Sequence, residues 1–319
     1  QCGGVEDYDT TSTTRTVTTA RPGNFVAINT GGWSSTATWQ DGRIPDGLGT
    51  ITINDGVTVT LGQTLVLTDS YNLTNNGTLL INNGELVNTT TNNDLGKVKI
   101  AFNSTEQGKW SFVGVPFAQN YRLETIAPHP GSDVAVVLYD YPNGRWSNDW
   151  ATINNIVPVA EGFFLWPFYY GAIIFNNDYN TDGTPDYTLN NSDITVTRDV
   201  ITSTSSNPNG NWMALANPYP AKLNIAKFWQ DNSSNLQGNV VYKYNTAAKQ
   251  FEIKDCNNTD LFVALCEGFF VNFQSAGNDK SVVFHKAQMT SYPSEAKSKS
   301  VQNPWIEMSL VNKRDEVKF

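Results

Sequence analysis

Apolar and polar positions alternate in short bursts along residues 25–105. Ile51-Thr-Ile53, Val57-Thr-Val59-Thr-Leu61, Leu65-Val-Leu67, Leu79-Leu-Ile81 and Val98-Lys-Ile100 follow a period of two or nearly so. That period sends successive side chains to opposite faces, which marks strands with one buried face. Asn54-Asp-Gly56, Asn75-Asn-Gly77 and Asn82-Asn-Gly84 punctuate them, and Asn and Gly accept the positive φ of tight turns. Short strands with regular turns predict a short β-helix over 25–105, in which each rung adds a strand to a parallel stack. A small antiparallel sandwich is the alternative.

Beyond residue 105 the apolar pattern is aromatic and occurs twice. Trp110-Ser-Phe-Val-Gly-Val-Pro116-Phe117 returns 102 residues later as Trp212-Met-Ala-Leu-Ala-Asn-Pro218-Tyr219. Tyr139-Asp-Tyr141 returns 103 residues later as Tyr242-Lys-Tyr244, and Glu161-Gly-Phe-Phe164 returns 106 residues later as Glu267-Gly-Phe-Phe270. Three anchors in one order at nearly one offset predict two duplicated β-sandwich-like repeats, over 106–205 and 206–290. Each opens with a Trp strand that ends at a Pro corner, because Pro fixes φ and has no N–H for a ladder. Residues 221–229 are the best helix candidate. The Thr-rich residues 1–24 read as an extended arm, and 291–319 as a linker and the start of a further strand. The fold class expected is all-β.

Charged residues make up 16% of the chain and aromatics 12%, a balance that fits an extracellular β-protein better than a disordered chain. A net charge of −9 argues against nucleic acid, whose phosphates need a basic footprint. No apolar run is long enough to span a membrane as a helix. The start at Gln1-Cys2 reads either as a mature N-terminus left by signal-peptide removal or as an arbitrary boundary, and the chain is expected to continue beyond Phe319. Of the three cysteines, Cys256 and Cys266 flank a strand-like segment. They pair as a disulfide if the chain is exported, or remain two buried thiols; Cys2 is left over.

Asn217-Pro-Tyr-Pro220, Gly268-Phe-Phe-Val271, Val283-Phe284 and Trp305-Ile-Glu-Met-Ser-Leu310 resemble a family of exported Bacteroidota surface proteins. The resemblance implies exit by the type 9 secretion system. Trp33, Trp39, Pro45, Gly49, Ile51, Ile53, Gly56, Val57 and Val59 resemble a second module of such proteins, which implies a short right-handed β-helix. The matching residues look structural, so the resemblance speaks to lineage and export more than to activity.

The sharpest polar motif is Asp178-Tyr-Asn180-Thr-Asp182-Gly183-Thr-Pro-Asp186. Its oxygen side chains at positions 1, 3, 5 and 9, with Gly at 6, match a calcium loop. Leu189 replaces the closing Glu of an EF-hand, and a plain Asn/Asp turn is the other reading. His129 and His285 read as surface or capping residues, with no nucleophile elbow near them. Glu161 and Glu267 stand at equivalent repeat positions, which points to a shared structural role rather than a glycosidase pair. Trp146 and Trp150, in Asn143-Gly-Arg-Trp-Ser-Asn-Asp-Trp150, are the ligand-binding candidates, since exposed rings stack on sugars or anchor protein interfaces. Core packing is their other reading.

These residues together predict a secreted or cell-surface protein of structural or adhesive function, with no catalytic residue assigned. One version is an adhesin that presents aromatic loops to a surface glycan or protein. The other is a self-assembling fibre subunit, a homopolymer whose arm completes a neighbour's sheet. The rival class is a polysaccharide-active enzyme or its carbohydrate-binding portion.

Overall fold

The computed structural model describes residues 23–104, 109–127, 134–152, 154–168, 171–178, 184–202 and 210–292, and the backbone of a strand pair beyond them. The arm to residue 22, Cys2, His129, Asn180, Asp182 and Trp305 lie outside the described residues.

The first nine strands are β1 (Gly23–Ala27), β2 (Gly31–Gly32), β3 (Gly49–Ile53), β4 (Thr58–Leu61), β5 (Thr64–Leu67), β6 (Tyr71–Asn75), β7 (Thr78–Asn82), β8 (Glu85–Asn88) and β9 (Lys97–Ser104). They form three parallel ladders, β1-β3-β6, β2-β4-β7-β9 and β5-β8. Partners in successive rungs stand 19 to 28 residues apart, as in Thr78 with Lys97, Thr58 with Thr78 and Gly31 with Val59. Parallel pairing on three faces is the β-helix reading and excludes the antiparallel sandwich.

The alternation does what its period predicts. Ile51, Ile53, Val59, Leu61, Leu65, Leu67, Leu73, Leu79 and Ile81 fill the interior, while Thr50, Thr52, Thr58 and Thr60 lie outside. Each such buried aliphatic side chain contributes about 1.5–3 kcal/mol. Trp33 and Trp39 are buried too, packed edge to face at 5.3 Å, with the Trp39 indole donating to the Trp33 carbonyl. Gly49 is required where it stands: its φ is +111° and a Cβ there would lie 2.0 Å from the Gly23 carbonyl oxygen. Asn75 closes a turn from inside, donating to the carbonyls of Leu95 and Lys97.

The first repeat contributes β10 (Ser111–Val113), β11 (Tyr121–Arg122), β12 (Ile126–Ala127), β13 (Val134–Val137), β14 (Tyr139–Asp140), β15 (Arg145–Trp146), β16 (Ile156–Val157), β17 (Phe163–Pro167) and β18 (Gly171–Asn176). The second contributes β19 (Ile194–Val200), β20 (Trp212–Ala216), β21 (Leu223–Asn224), α1 (Ile225–Asn232), β22 (Val240–Asn245), β23 (Gln250–Asp255), β24 (Phe262–Val263), β25 (Gly268–Asn272) and β26 (Gly277–Phe284). β27 (Ser309–Val311) and β28 (Glu316–Lys318) pair with each other.

The duplication is visible in register. β10 pairs with β17 through Phe112 and Phe164, and β20 pairs with β25 through Ala214 and Phe270. Tyr121 faces Val157 as Leu223 faces Val263. Two details correct the sequence reading. Tyr139 faces Trp146 as Tyr244 faces Phe251, so the counterpart of Tyr139 is Tyr244 rather than Tyr242. A slip of two residues keeps a side chain on its face, so the apolar pattern alone does not separate these registers. In addition, β19 lies in the segment assigned to the first repeat, yet it pairs with β26. Its alternating Ile194, Val196 and Val200 carried no aromatic anchor to reveal that partner.

α1 begins at Ile225 rather than Ala221, because Leu223 is held in a strand pair and the Asn224 side chain caps the helix by accepting from the Lys227 N–H. β9 ties the modules together, parallel to β7 on one side and antiparallel to β18 on the other. One hydrophobic cluster therefore runs from Phe25 through the β-helix to Leu189 of the first repeat.

The Asn-Pro-Tyr corner of the second repeat is held by Asn217, which is fully buried. Its Nδ2 donates to the carbonyls of Ala221, Val263 and Ala264, and its Oδ1 accepts from the Tyr219 N–H. The first repeat has Val115 at that position. Asn217→Ala strands several buried polar groups and is expected to cost about 2–4 kcal/mol, read as a lower urea midpoint with an unchanged slope.

Candidate functional site

The two repeats meet face to face, and the contact is reciprocal. Val113 bridges Glu267, and its counterpart Leu215 bridges Glu161, the counterpart of Glu267. The Gly114 N–H donates to the Cys266 carbonyl at 3.2 Å, and the Ala216 N–H donates to the Ala160 carbonyl at 2.8 Å. Ala160 and Cys266 both adopt positive φ, 56° and 60°. Reciprocity of this kind is the signature of an isologous, two-fold contact, here between halves of one chain. The halves touch most closely where Gly114 faces Ala216: a Cβ on Gly114 would lie 2.1 Å from that of Ala216.

An aromatic layer fills the junction. Phe112 stacks on Phe270 at 5.2 Å and also meets Trp146, Phe164 and Phe251. Beside it opens an apolar cleft of about 380 Å³, lined by Tyr139, Gly144, Arg145 and Trp146 of the first repeat and Trp212, Tyr242, Phe251 and Phe270 of the second. Trp212 and Tyr242 stand 4.6 Å apart edge to face, and Tyr139 meets Phe270 at 5.3 Å. Gly144 ends the β14–β15 turn at φ 59°, placing backbone rather than a side chain in the wall. Such rings offer flat faces to an apolar or ring-shaped ligand.

The site residues expected from sequence fare differently. Trp146 lines this cleft. Trp150 does not; it is 55% exposed and packs near Phe168 at 5.9 Å. The Cys256–Cys266 disulfide does not form. Both thiols are free and buried, Cys266 in the β-helix cluster and Cys256 in that of the second repeat. Burial pushes the Cys256 thiol up to about 12 and the Cys266 thiol higher still, which leaves both unreactive. Ten residues of spacing allowed a pair, but the sequence did not show that each cysteine serves a different core. Of the calcium-loop candidates, Asp178 and Asp186 are described, and the Asp186 N–H donates to the carbonyl of buried Asn177. Asn180 and Asp182 fall outside the described residues. Among the described residues no group of three His, Cys, Asp or Glu side chains is arranged to hold a metal ion.

Glu161 and Glu267 take structural positions beside the junction. Glu267 accepts from the Ala264 N–H and pairs with Lys243 at 2.9 Å. Glu161 is buried and pairs with Arg198 at 3.0 Å. The Arg198 guanidinium also donates to the Val159 and Thr197 carbonyls. Burial pushes the Glu161 carboxyl up to about 7, against the opposing pull of Arg198 and the Tyr141 hydroxyl. The sequence singles out neither Trp212 nor Phe270 as a cleft residue. The signal that finds the cleft is the duplication itself, which brings two aromatic sheet faces together.

A family profile described as a domain of unknown function (DUF8693) matches residues 42–257, more than half of the chain, and the chain belongs to this family. The matched region runs from the β-helix to just past β23, ending before the second Gly-Phe-Phe strand. No curated protein and no solved structure matches the chain. No helix among the described residues is long and apolar enough to cross a membrane.

Folding raises the affinity of Glu161 for its proton. The group therefore favours the folded state fully below pH about 4.5, and that contribution is lost as pH rises through about 7. Glu161→Gln, which cannot ionise, is expected to flatten the fall in stability between pH ~5 and ~8. Urea midpoints of both proteins across that range check it.

Proposed function

We propose that this chain is an exported surface or matrix protein of structural or adhesive function, and that the cleft between its repeats binds a glycan or a protein segment. The observation that carries the reading is the cleft itself: six aromatic side chains, Tyr139 and Trp146 from the first repeat and Trp212, Tyr242, Phe251 and Phe270 from the second, border one open apolar space. Pyranose rings present C–H faces that stack on aromatic rings, and aromatic anchors dominate protein interfaces. The lineage reading rests on the Asn-Pro-Tyr-Pro and Gly-Phe-Phe motifs and extends to release by the type 9 secretion system.

Trp212 is the position to test, because its half-exposed ring borders the cleft. A glycan array followed by titration of the best binder by intrinsic fluorescence is expected to give saturable binding. Trp212→Ala is expected to weaken it about tenfold or more, whereas Trp150→Ala leaves it unchanged. Binding lost through Trp150 and not through Trp212 moves the site away from the cleft. The absence of binding to any glycan or surface protein removes the adhesive reading.

Calcium in the loop from Asp178 to Asp186 belongs to the same proposal. Chelation is expected to lower the melting temperature by about 2–4 °C or more, and added calcium to restore it. An unchanged melting temperature reduces the loop to an Asn/Asp turn.

A further inference from the structure

We propose that β23 is a self-complementary edge, through which two copies of this chain join their sheets antiparallel about a two-fold axis at Ile253. The sheet order is β20-β25-β22-β23, so β23 is paired on one side only among the described residues. Its register with β22 runs unbroken over six residues, from Gln250 to Asp255. Edge strands are normally blunted by proline, a bulge or an unpaired charge. β23 has no proline and no bulge, and its one cation, Lys254, already pairs with Glu252 at 2.6 Å.

Ile253 is 65% exposed, the most exposed of the large hydrophobic residues described. With the axis at Ile253, that side chain meets Ile253 of the second copy. Glu252 then stands opposite Lys254 of the second copy, and Lys254 opposite Glu252. Directly opposite pairs of these kinds stabilise antiparallel strands. Centring the axis on either neighbour instead puts Glu252 against Glu252 or Lys254 against Lys254. The sequence Glu-Ile-Lys therefore selects one register.

A consequence follows for the cleft. The two-fold axis of an antiparallel strand pair stands perpendicular to the sheet, so both copies present the same face on the same side. Ile253 pairs with Tyr242, which pairs with Phe270, so the apolar row at the axis leads into both clefts. The dimer is an eight-stranded sheet with two clefts on one face, an arrangement that raises avidity for a repetitive ligand. The pairing does not depend on what the cleft binds.

Sedimentation velocity of the full chain over a concentration series tests this. The chain is expected to dimerise reversibly. Glu252→Lys and Lys254→Glu each place like charges opposite and are expected to weaken the dimer about tenfold or more, and the double swap to restore it. Independently, Ile253→Cys with Cys2→Ser is expected to give a disulfide-linked dimer on mild oxidation. Gln250→Cys in the same background is not, since those positions lie about 20 Å apart in this register. A monomer at every concentration, a dimer indifferent to the charge variants, or equal cross-linking at both positions overturns the proposal.

Discussion

Phe112 occupies a place that only one of two equivalent residues can take. The halves of the repeat region meet about a local two-fold, and a side chain near such an axis collides with its own counterpart. Cβ atoms built on Gly162 and Gly268, which are equivalent positions, would meet the Phe112 ring at 2.6 Å and 2.9 Å. One ring therefore lies over both Gly-Phe-Phe strands, and the counterpart of Phe112 is Ala214. The same crowding explains Gly114 opposite Ala216. The glycine of each Gly-Phe-Phe motif is thus a clearance for a ring that belongs to one repeat alone. The asymmetry also distributes the layer, with Phe112 filling the centre and the cleft opening between Trp146 and Trp212.

The rest of the molecule holds this junction in place. β9 belongs to the β-helix and to the first repeat at once, so the parallel stack is continuous with the sheet that carries β18. Val98 and Ile100 of β9 sit in the same cluster as Leu79 and Ile81. A rigid platform of this kind fixes one repeat, and the reciprocal backbone pairs fix the other against it. Close packing at the junction lets the aromatic side chains keep a defined cleft rather than collapse into it.

The buried charges show how far the two repeats have diverged at equivalent positions. Glu267 is partly exposed and answers a lysine from the neighbouring strand β22. Glu161 is buried, and its arginine comes from β19, the partner of β26 in the second repeat. The pair therefore reaches across the junction, and Tyr141 reaches across too, with its hydroxyl accepting from the Ala214 N–H and donating to the Ala214 carbonyl. Desolvation raises the Glu161 carboxyl because the junction excludes water there, not because of a like charge.

The sequence by itself determined the strands, the turns and the duplication. Alternating residues such as Ile51 and Ile53 have one stable placement, and Asn-Gly turns have a local reason to form. It also showed the equivalence of Glu161 and Glu267. Only the tertiary structure decided which surfaces meet. Trp212, Tyr242 and Phe270 were not legible as cleft residues, because a strand pattern says that a face is apolar, not what covers it. Cys256 and Cys266 are ten residues apart in the chain yet serve separate clusters, because the chain passes from one core to the other between Val263 and Leu265. Local pattern fixes conformation through short-range sterics and side-chain period, whereas partner choice depends on contacts between residues a hundred positions apart.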